Sequence, residues 1–277
     1  MSSMKIAVVL STYNSPDVLR MSLLGFVAQE GHDFEVLVAD DGSDERTAAV
    51  LQEECFSGLD LQHVWHVDDG FRLSAIRNAA ISRTKADYLI FCDGDCIPRK
   101  DFIASHARLA RPATFTAGGR IDVPSKVHKQ FTDQEILSNQ VFDPEFLERR
   151  DRSLRRFRNR LTAGQQMTAI MNRLTWRYCV FSGSNAAAWR EDLIRVNGFD
   201  EDFPGYGSED RDIGVRLKNS GIKSQYLKYS LMQLHLDHPK THFDPEVSRR
   251  NREVFRRRKW DGTTRIPDGI RKEAISN

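Results

Sequence analysis

Three short apolar runs in the first hundred residues each close on polar or acidic turn residues, and this repetition constrains the fold more than any other feature. Ile6-Ala7-Val8-Val9-Leu10 runs into Ser11-Thr12-Tyr13-Asn14, Phe34–Ala39 into Asp40-Asp41-Gly42-Ser43, and Tyr88-Leu89-Ile90-Phe91-Cys92 into Asp93-Gly94-Asp95. Apolar runs of this length, bounded by turn residues, read as buried strands. Helical patterns lie between them. Ser15 is read as an N-cap before Pro16 and Asp17, with Leu19, Leu23, Phe26 and Val27 on one face. Further helices are expected over 44–54, opening within the segment 68–78, and over 101–110, and Leu61–Val67 is read as one more strand, before the one that ends at Asp93. Strand and helix alternating at this spacing predict an α/β fold: a mostly parallel central sheet, helices on both faces and right-handed crossovers. The polar strand ends then share one edge, where open α/β sheets bind ligands.

Asp93 and Asp95 sit just past the third of these runs, and two carboxylates so close repel each other unless a cation lies beside them. A divalent ion holding a substrate's phosphates suits the pattern, because Mg2+ and Mn2+ take few protein carboxylates and fill the remaining positions with phosphate oxygens and water. No G-x-G-x-x-G follows the first strand, which argues against a dinucleotide fold of the Rossmann type. The STYN, DDGS and DGD ends are expected to converge on one nucleotide instead. Cysteines 55, 92, 96 and 179 lack the paired spacing of a zinc site or disulfide framework, so Cys92 and Cys96 read as small buried residues beside the strand.

The second half is patterned differently. Thr114–Val123 reads as one strand with Gly118-Gly119 inside it, where glycine marks a bulge or a close approach. Thr132-Asp133-Gln134-Glu135 is a capping box, and Asp143-Pro144 starts another short helix. Ser208, read as an N-cap, puts Glu209, Asp210 and Asp212 in the first turn of a helix that ends near Gly221, where the helix dipole favours acids. Tyr226–Leu236 reads as a strand ending in His235-Leu236-Asp237-His238-Pro239. The net charge of +2 hides a segregation: residues 148–177 hold nine arginines against Glu148 and Asp151, and 240–260 hold eight Lys or Arg against three acids. Guanidinium binds phosphate bidentately, so these basic stretches point to an anionic partner. The expected organisation is 1–123 as a nucleotide-binding half, 124–178 as a basic, partly helical insertion, 179–240 as the other half of the same domain, and 241–277 as a basic tail. With no apolar run near 18 residues and no signal-peptide pattern at the start, a cytoplasmic location is expected.

Taken in order, STYN (11–14), DDGS (40–43), GFRLSAIRNAAI (70–81), CDGDCIP (92–98), GSNAAAWR (183–190), the stretch 197–221 and HLDHP (235–239) resemble a family 2 glycosyltransferase of the GT-A fold. The carboxyl-terminal half is similar to the galactosyltransferase-type region of bacterial chondroitin polymerase and the β-1,4-galactosyltransferases. The resemblance implies a metal-dependent, inverting transfer from a UDP-sugar to a glycan hydroxyl, as in bacterial surface polysaccharide or lipopolysaccharide biosynthesis. It implies that Ser11, Tyr13 and Asp41 hold the uracil, that Arg77 reaches the base or diphosphate, and that Asp93 faces the ribose. Asp95 would ligate Mn2+ or Mg2+ with His235, His238 being the second choice. Asp210 would be the general base and Glu209 the acceptor-binding acid, with Asn185 and Trp189 lining the donor–acceptor junction. Tyr206 would stack on the acceptor, although Tyr206-Gly207-Ser208 stands where relatives often carry Trp-Gly-Gly.

The arginine-rich segments suggest a phosphorylated or lipid-linked glycan acceptor at an anionic inner membrane face. Two other readings fit less of the chain. A phosphotransferase or phosphatase with Asp93 as nucleophile would carry its motif after the first strand, not roughly the fourth. A nucleic-acid-binding protein would leave the acidic strand ends and the 209–212 acids unexplained, so no nucleic-acid partner is expected.

Overall fold

A computed structural model describes residues 4–175, 179–203, 205–238 and 244–272. The strands are β1 (Ile6–Thr12), β2 (Phe34–Asp40), β3 (Asp60–Trp65), β4 (Tyr88–Asp93), β5 (Cys96–Pro98), β6 (Thr114–Ala117), β7 (Gly119–Val123), β8 (Asn185–Trp189), β9 (Lys223–Tyr226) and β10 (Met232–Leu236). The helices are α1 (Pro16–Val27), α2 (Glu45–Val50), α3 (Leu73–Arg83), α4 (Phe102–Leu109), α5 (Ser125–His128), α6 (Asp133–Leu137), α7 (Pro144–Arg150), α8 (Arg158–Thr162), α9 (Gln165–Thr175), α10 (Arg190–Arg195), α11 (Glu209–Asn219) and α12 (Pro245–Asp261).

Seven strands form the main sheet in the order β3-β2-β1-β4-β8-β6-β9, and β5-β10-β7 form a second, smaller one. β1, β2, β3 and β4 run parallel, as do β6 and β9, and β8 runs antiparallel to both its neighbours. The fold is thus the expected α/β arrangement with a mostly parallel sheet. Its two faces are covered by different cores, and the strands alternate between them with period two. Ile6, Val8, Leu10, Val36, Val38, Tyr88 and Ile90 pack on one side with Leu19, Leu23 and Phe26 of α1. Ala7, Val9, Leu37, Leu89 and Phe91 pack on the other with Ile76 and Ile81 of α3 and Ile213 and Leu217 of α11.

Several local expectations are corrected. Residues 114–123 are two strands in different sheets: the chain turns at Gly118-Gly119, where a Cβ on Gly119 would stand 2.2 Å from the Lys228 carbonyl oxygen. Residues 226–236 likewise split into β9 and β10, and the helix expected over 44–54 shortens to α2 and a 3-10 turn at Glu54–Phe56. Ser15 and Ser208 occupy N-cap positions without capping through their side chains. Ser15 Oγ donates to the Tyr13 carbonyl, and Ser208 sits in the left-handed region at φ 76°. Val27 is 38% exposed rather than part of the buried face of α1. The Thr132 capping box forms as expected.

The stretch 124–157 joins the core of β1 through Val127, Ile136, Val141, Phe146, Leu147 and Leu154. Several of its arginines are neutralised locally. Arg150 pairs with Glu135 and lies 3.6 Å over the Phe146 ring, and Arg155 pairs with Glu148, as does Arg158 just beyond the stretch. Cys92 and Cys96 are buried free thiols, as the sequence suggests.

Candidate active site

Parallel pairing brings the ends of β1, β2 and β4 to one edge, with Ser11 opposite Asp93 and Thr12 opposite Asp40. The Gly94 N–H donates to the Ser11 carbonyl at 2.7 Å, so the turn at 93–95 wraps over the end of β1. Arg77, buried on α3, ties this edge together. Its Nε donates to Ser11 Oγ at 3.0 Å and its Nη2 to Asp93 Oδ1 at 3.1 Å, with the guanidinium 5.4 Å over the Phe199 ring. Phe181-Ser182-Gly183 closes against it: a Cβ on Gly183 would stand 2.4 Å from Arg77 Nη2.

On the β1–β2 side, Tyr13 OH donates to Asp68 Oδ2 at 3.0 Å. Asp41 accepts from His66 Nε2 at 2.8 Å and from the Arg72 N–H at 3.0 Å. Burial raises the Asp41 carboxyl above its ordinary value against these donors. Ser11, Tyr13, Asp41, Arg77 and Asp93 therefore share one edge. Asp68, His66 and Arg72 join them, none having been given a site role; Asp68 and Arg72 lie in the segment 68–78, whose Asp68-Asp69-Gly70 turn after β3 was their signal.

Antiparallel pairing of β5 with β10 sets His235 opposite Cys96 and so beside Asp95. Asp95 Oδ2 lies 2.8 Å from His238 Nε2 and 3.5 Å from His235 Nε2, and one ligand atom from each of the three residues falls within 4.8 Å of the others. His238, the second choice from sequence, is thus the nearer of the two imidazoles. His235 Nδ1 in turn lies 3.0 Å from Asp122 Oδ1, the kind of outer contact that orients an imidazole ligand. Burial alone would raise Asp95, but hydrogen bonds from His235 and His238 outweigh it and hold the carboxyl below the usual range. One carboxylate and two imidazoles converging in this way fit a divalent ion.

Asp210 and Glu209 open α11 across the cleft. Asp210 Oδ2 accepts from the Gly183 N–H at 3.0 Å, so the loop that packs on Arg77 also holds this carboxylate. Glu209 is 4% exposed, its Oε2 accepting from the Gly207 N–H at 2.9 Å. Burial, and then the charge of Asp210, push its carboxyl up to about 7. Burial raises Asp93 too. Arg77 works against that shift, and the charges of Asp95 and Asp210 both add to it. One carboxylate is therefore within electrostatic reach of the ion site and of Asp210 together. Tyr206 stands at the rim, 47% exposed and edge-on to Phe71 at 6.3 Å.

Of two residues expected at the donor–acceptor junction, one lies elsewhere and the other has a packing role. Trp189 pairs with Tyr88 at the far end of β4, its ring 5.4 Å from Tyr88 and its Nε1 donating to the Arg111 carbonyl. Because β8 runs antiparallel to β4, its start is at the cleft and its end is remote, so Trp189 does not line the site. Asn185, at the start of β8, sits next to the cleft opposite Cys92, but its Nδ2 donates to the carbonyls of Gly119 and Leu231 and stitches the two sheets.

The family description "Glycosyl transferase family 2" matches residues 7–195, and "N-terminal domain of galactosyltransferase" matches 166–239. The chain is similar to chondroitin synthase of Escherichia coli, 30% identical over 226 residues that make up 78% of this chain and 32% of that protein. It is also similar to validoxylamine A glucosyltransferase of Streptomyces hygroscopicus subsp. limoneus, 30% identical over 246 residues, 86% of this chain and 52% of that one. It therefore spans about a third to a half of the length of these two relatives. Among solved structures, TarS 1–349 of S. aureus in complex with UDP-GlcNAc aligns with TM-score 0.58 at 16% identity, covering 91% of this chain and 65% of that one. A mannosyltransferase from Pyrobaculum calidifontis in complex with GDP-Man and Mn2+ aligns with TM-score 0.55 at 17% identity, over 86% and 58%. At such identities the alignments show a shared GT-A fold.

Proposed function

The chain belongs to glycosyl transferase family 2 and is a glycosyltransferase, and from that premise we propose that it moves a sugar from a UDP-sugar to a hydroxyl of a glycan acceptor, with inversion at the anomeric carbon. One observation carries the reading: Arg77 and Gly183 link the Asp93-Gly94-Asp95 turn to Asp210 across a single cleft. The UDP-GlcNAc bound by TarS supports the nucleotide assignment, and the Mn2+ of the mannosyltransferase supports a divalent ion.

In this reading Ser11, Tyr13 and Asp41 frame the base, Arg77 and Asp93 orient the ribose and diphosphate, and Asp95 with His235 and His238 would hold the metal. Two imidazoles beside one carboxylate suit Mn2+ better than Mg2+. When bound, such an ion supplies neutralisation of the charge that builds on the departing diphosphate. Asp210 accepts the proton of the acceptor hydroxyl as the sugar's anomeric carbon becomes cation-like. Glu209 and Tyr206 position the acceptor. With Asp210 acting as base in a single displacement, no covalent intermediate is needed and the product is inverted.

The acceptor is proposed to be a lipid-linked or phosphorylated glycan of a surface polysaccharide or lipopolysaccharide, met at an anionic membrane face. Met167, Ile170 and Leu174 on α9 are more than half exposed, and Trp260 is exposed among the arginines of α12. Both features suit shallow contact with a lipid surface. No helix among the described residues is long and apolar enough to cross a membrane.

The test is a screen of UDP-sugars by UDP release, with and without Mn2+, followed by proton NMR of the product's anomeric centre. The account expects Mn2+-dependent release from at least one UDP-sugar and an inverted product. Release indifferent to metal, or a retained configuration, would overturn it.

A further inference from the structure

Beside the Asp210 loop lies a cavity of about 330 Å3 bordered by Arg120, Arg160, Lys228, Ser182, Ser184 and Asn185. It adjoins the catalytic cleft on two sides. Ser182 and Ser184 flank Gly183, whose N–H holds Asp210, and Arg120 Nε lies 3.2 Å from Asp122, the carboxylate beside His235.

Arg120 has Asp122 as a partner, but the other two cations have no carboxylate among the described residues, Arg160 lying instead 5.5 Å from the Phe157 ring centre and 6.0 Å from that of Tyr229. Arg160 spends Nη2 on the Arg120 carbonyl at 3.1 Å and on Met232 Sδ at 3.8 Å, while its Nε is buried with no hydrogen-bond partner. No carboxylate among the described residues lies within ion-pair distance of Arg160 or Lys228, in contrast to Arg150, Arg155 and Arg158 nearby. Burial lowers both Arg160 and Lys228, and the charge of Arg160 lowers Lys228 further, while the charge of Asp122 works the other way on Arg160.

Asn185 adds a second unmet group. Both of its Nδ2 hydrogens go to backbone carbonyls, which fixes the amide orientation and leaves Oδ1 buried without a donor. Gly118, which also lines the cavity, packs directly on this amide, since a Cβ there would stand 2.3 Å from Oδ1. Two under-used cations and an acceptor lacking a hydroxyl call for a ligand that is both anionic and hydroxylated.

We propose that this cavity receives a carboxylate or phosphate carried on one of the two sugars in the reaction, with Arg160 and Lys228 binding the anion and Asn185 Oδ1 accepting from a ring hydroxyl. The inference rests on the glycosyl-transfer reading above and makes the enzyme selective for an acidic sugar.

Two arms separate the sources of the anion. In the donor arm, hydrolysis of UDP-glucuronate is compared with that of UDP-glucose without acceptor. In the acceptor arm, a neutral donor is offered oligosaccharides ending in a uronate or phosphorylated sugar against neutral ones. One arm is expected to show a preference for the acidic member of roughly 10–100-fold in kcat/KM, the size of a hydrogen-bonded charge pair. Arg160→Gln abolishes that preference and Lys228→Gln weakens it. Arg160→Lys, which keeps the charge, retains part of it. Calorimetric UDP affinity with Mn2+ stays unchanged in all three variants. Equal use of acidic and neutral sugars in both arms, or a preference that survives Arg160→Gln, would overturn the inference alone. Failure of the wild type to bind UDP with Mn2+ would overturn the underlying reading, and this one with it.

Discussion

At the scale of single residues, the site depends on a glycine that carries no chemistry of its own. Gly183 donates its N–H to Asp210 and leaves its Cα open to the Arg77 guanidinium. Because Arg77 is held by Ser11 and Asp93, it cannot retreat from a new Cβ without giving up one of them. Gly183→Ala should therefore lower turnover by about 100-fold, the scale of a misplacement near 1 Å, while circular dichroism still shows a folded chain. Wild-type turnover in that variant would contradict the linkage. Glu209 makes a separate, pH-dependent prediction. Its carboxyl is pushed up to about 7 by burial and then by Asp210, so the folded chain holds this proton more tightly than the unfolded chain does. That stabilisation is complete below the ordinary carboxylate value and disappears as pH rises through about 7. Glu209→Gln stays neutral throughout, so its melting temperature relative to wild type should rise between about pH 5 and pH 8. An unchanged difference would remove the assigned burial cost. Among the site residues, the acids at strand ends were legible because buried strands ending in Asp-Gly turns have a strong local pattern. The rank of His238 was not legible, since strand pairing places His235 beside the turn and His238 reaches Asp95 from beyond the end of β10.

At the scale of elements, α11 carries the proposed base at its first turn and an ion network on its buried face. Arg216 Nε donates to Asp212 Oδ2 at 2.7 Å, one turn along the helix, and its other nitrogens donate to the carbonyls of Val196 and Gly198. Arg258 of α12 reaches across to Asp212 Oδ1 at 2.9 Å and Asp200 Oδ2 at 2.5 Å. Asp200 and Asp212 are buried, so removing Arg258 leaves two carboxylates short of a partner. Arg258→Ala should cost about 3–5 kcal/mol in chemical denaturation, and a loss below about 1 kcal/mol would show that α12 does not anchor α11. The helices and parallel strands were readable from periodicity. The split of 114–123 between two sheets and the reversed direction of β8 were not, because both depend on which strand pairs with which. Trp189 was misplaced for that reason: a strand's pattern gives its faces but not its direction.

At the scale of the whole molecule, the charge segregation seen in the sequence has two uses. Part of the basic stretch is absorbed by Glu135, Glu145 and Glu148 as the 124–157 segment packs on the sheet. Arg160 escapes that neutralisation and lines the cavity next to the cleft. Composition revealed the excess but not its partition, which depends on helices that bring specific acids within reach. The central claim spans the molecule: a donor held at the 93–95 turn reacts with an alcohol activated by Asp210, more than a hundred residues later in the chain. The most direct test measures UDP–Mn2+ affinity and turnover together in Asp210→Asn. The account predicts affinity unchanged and turnover reduced roughly 10²–10⁴-fold, the usual contribution of general acid–base catalysis. Turnover near that of the wild type would contradict it.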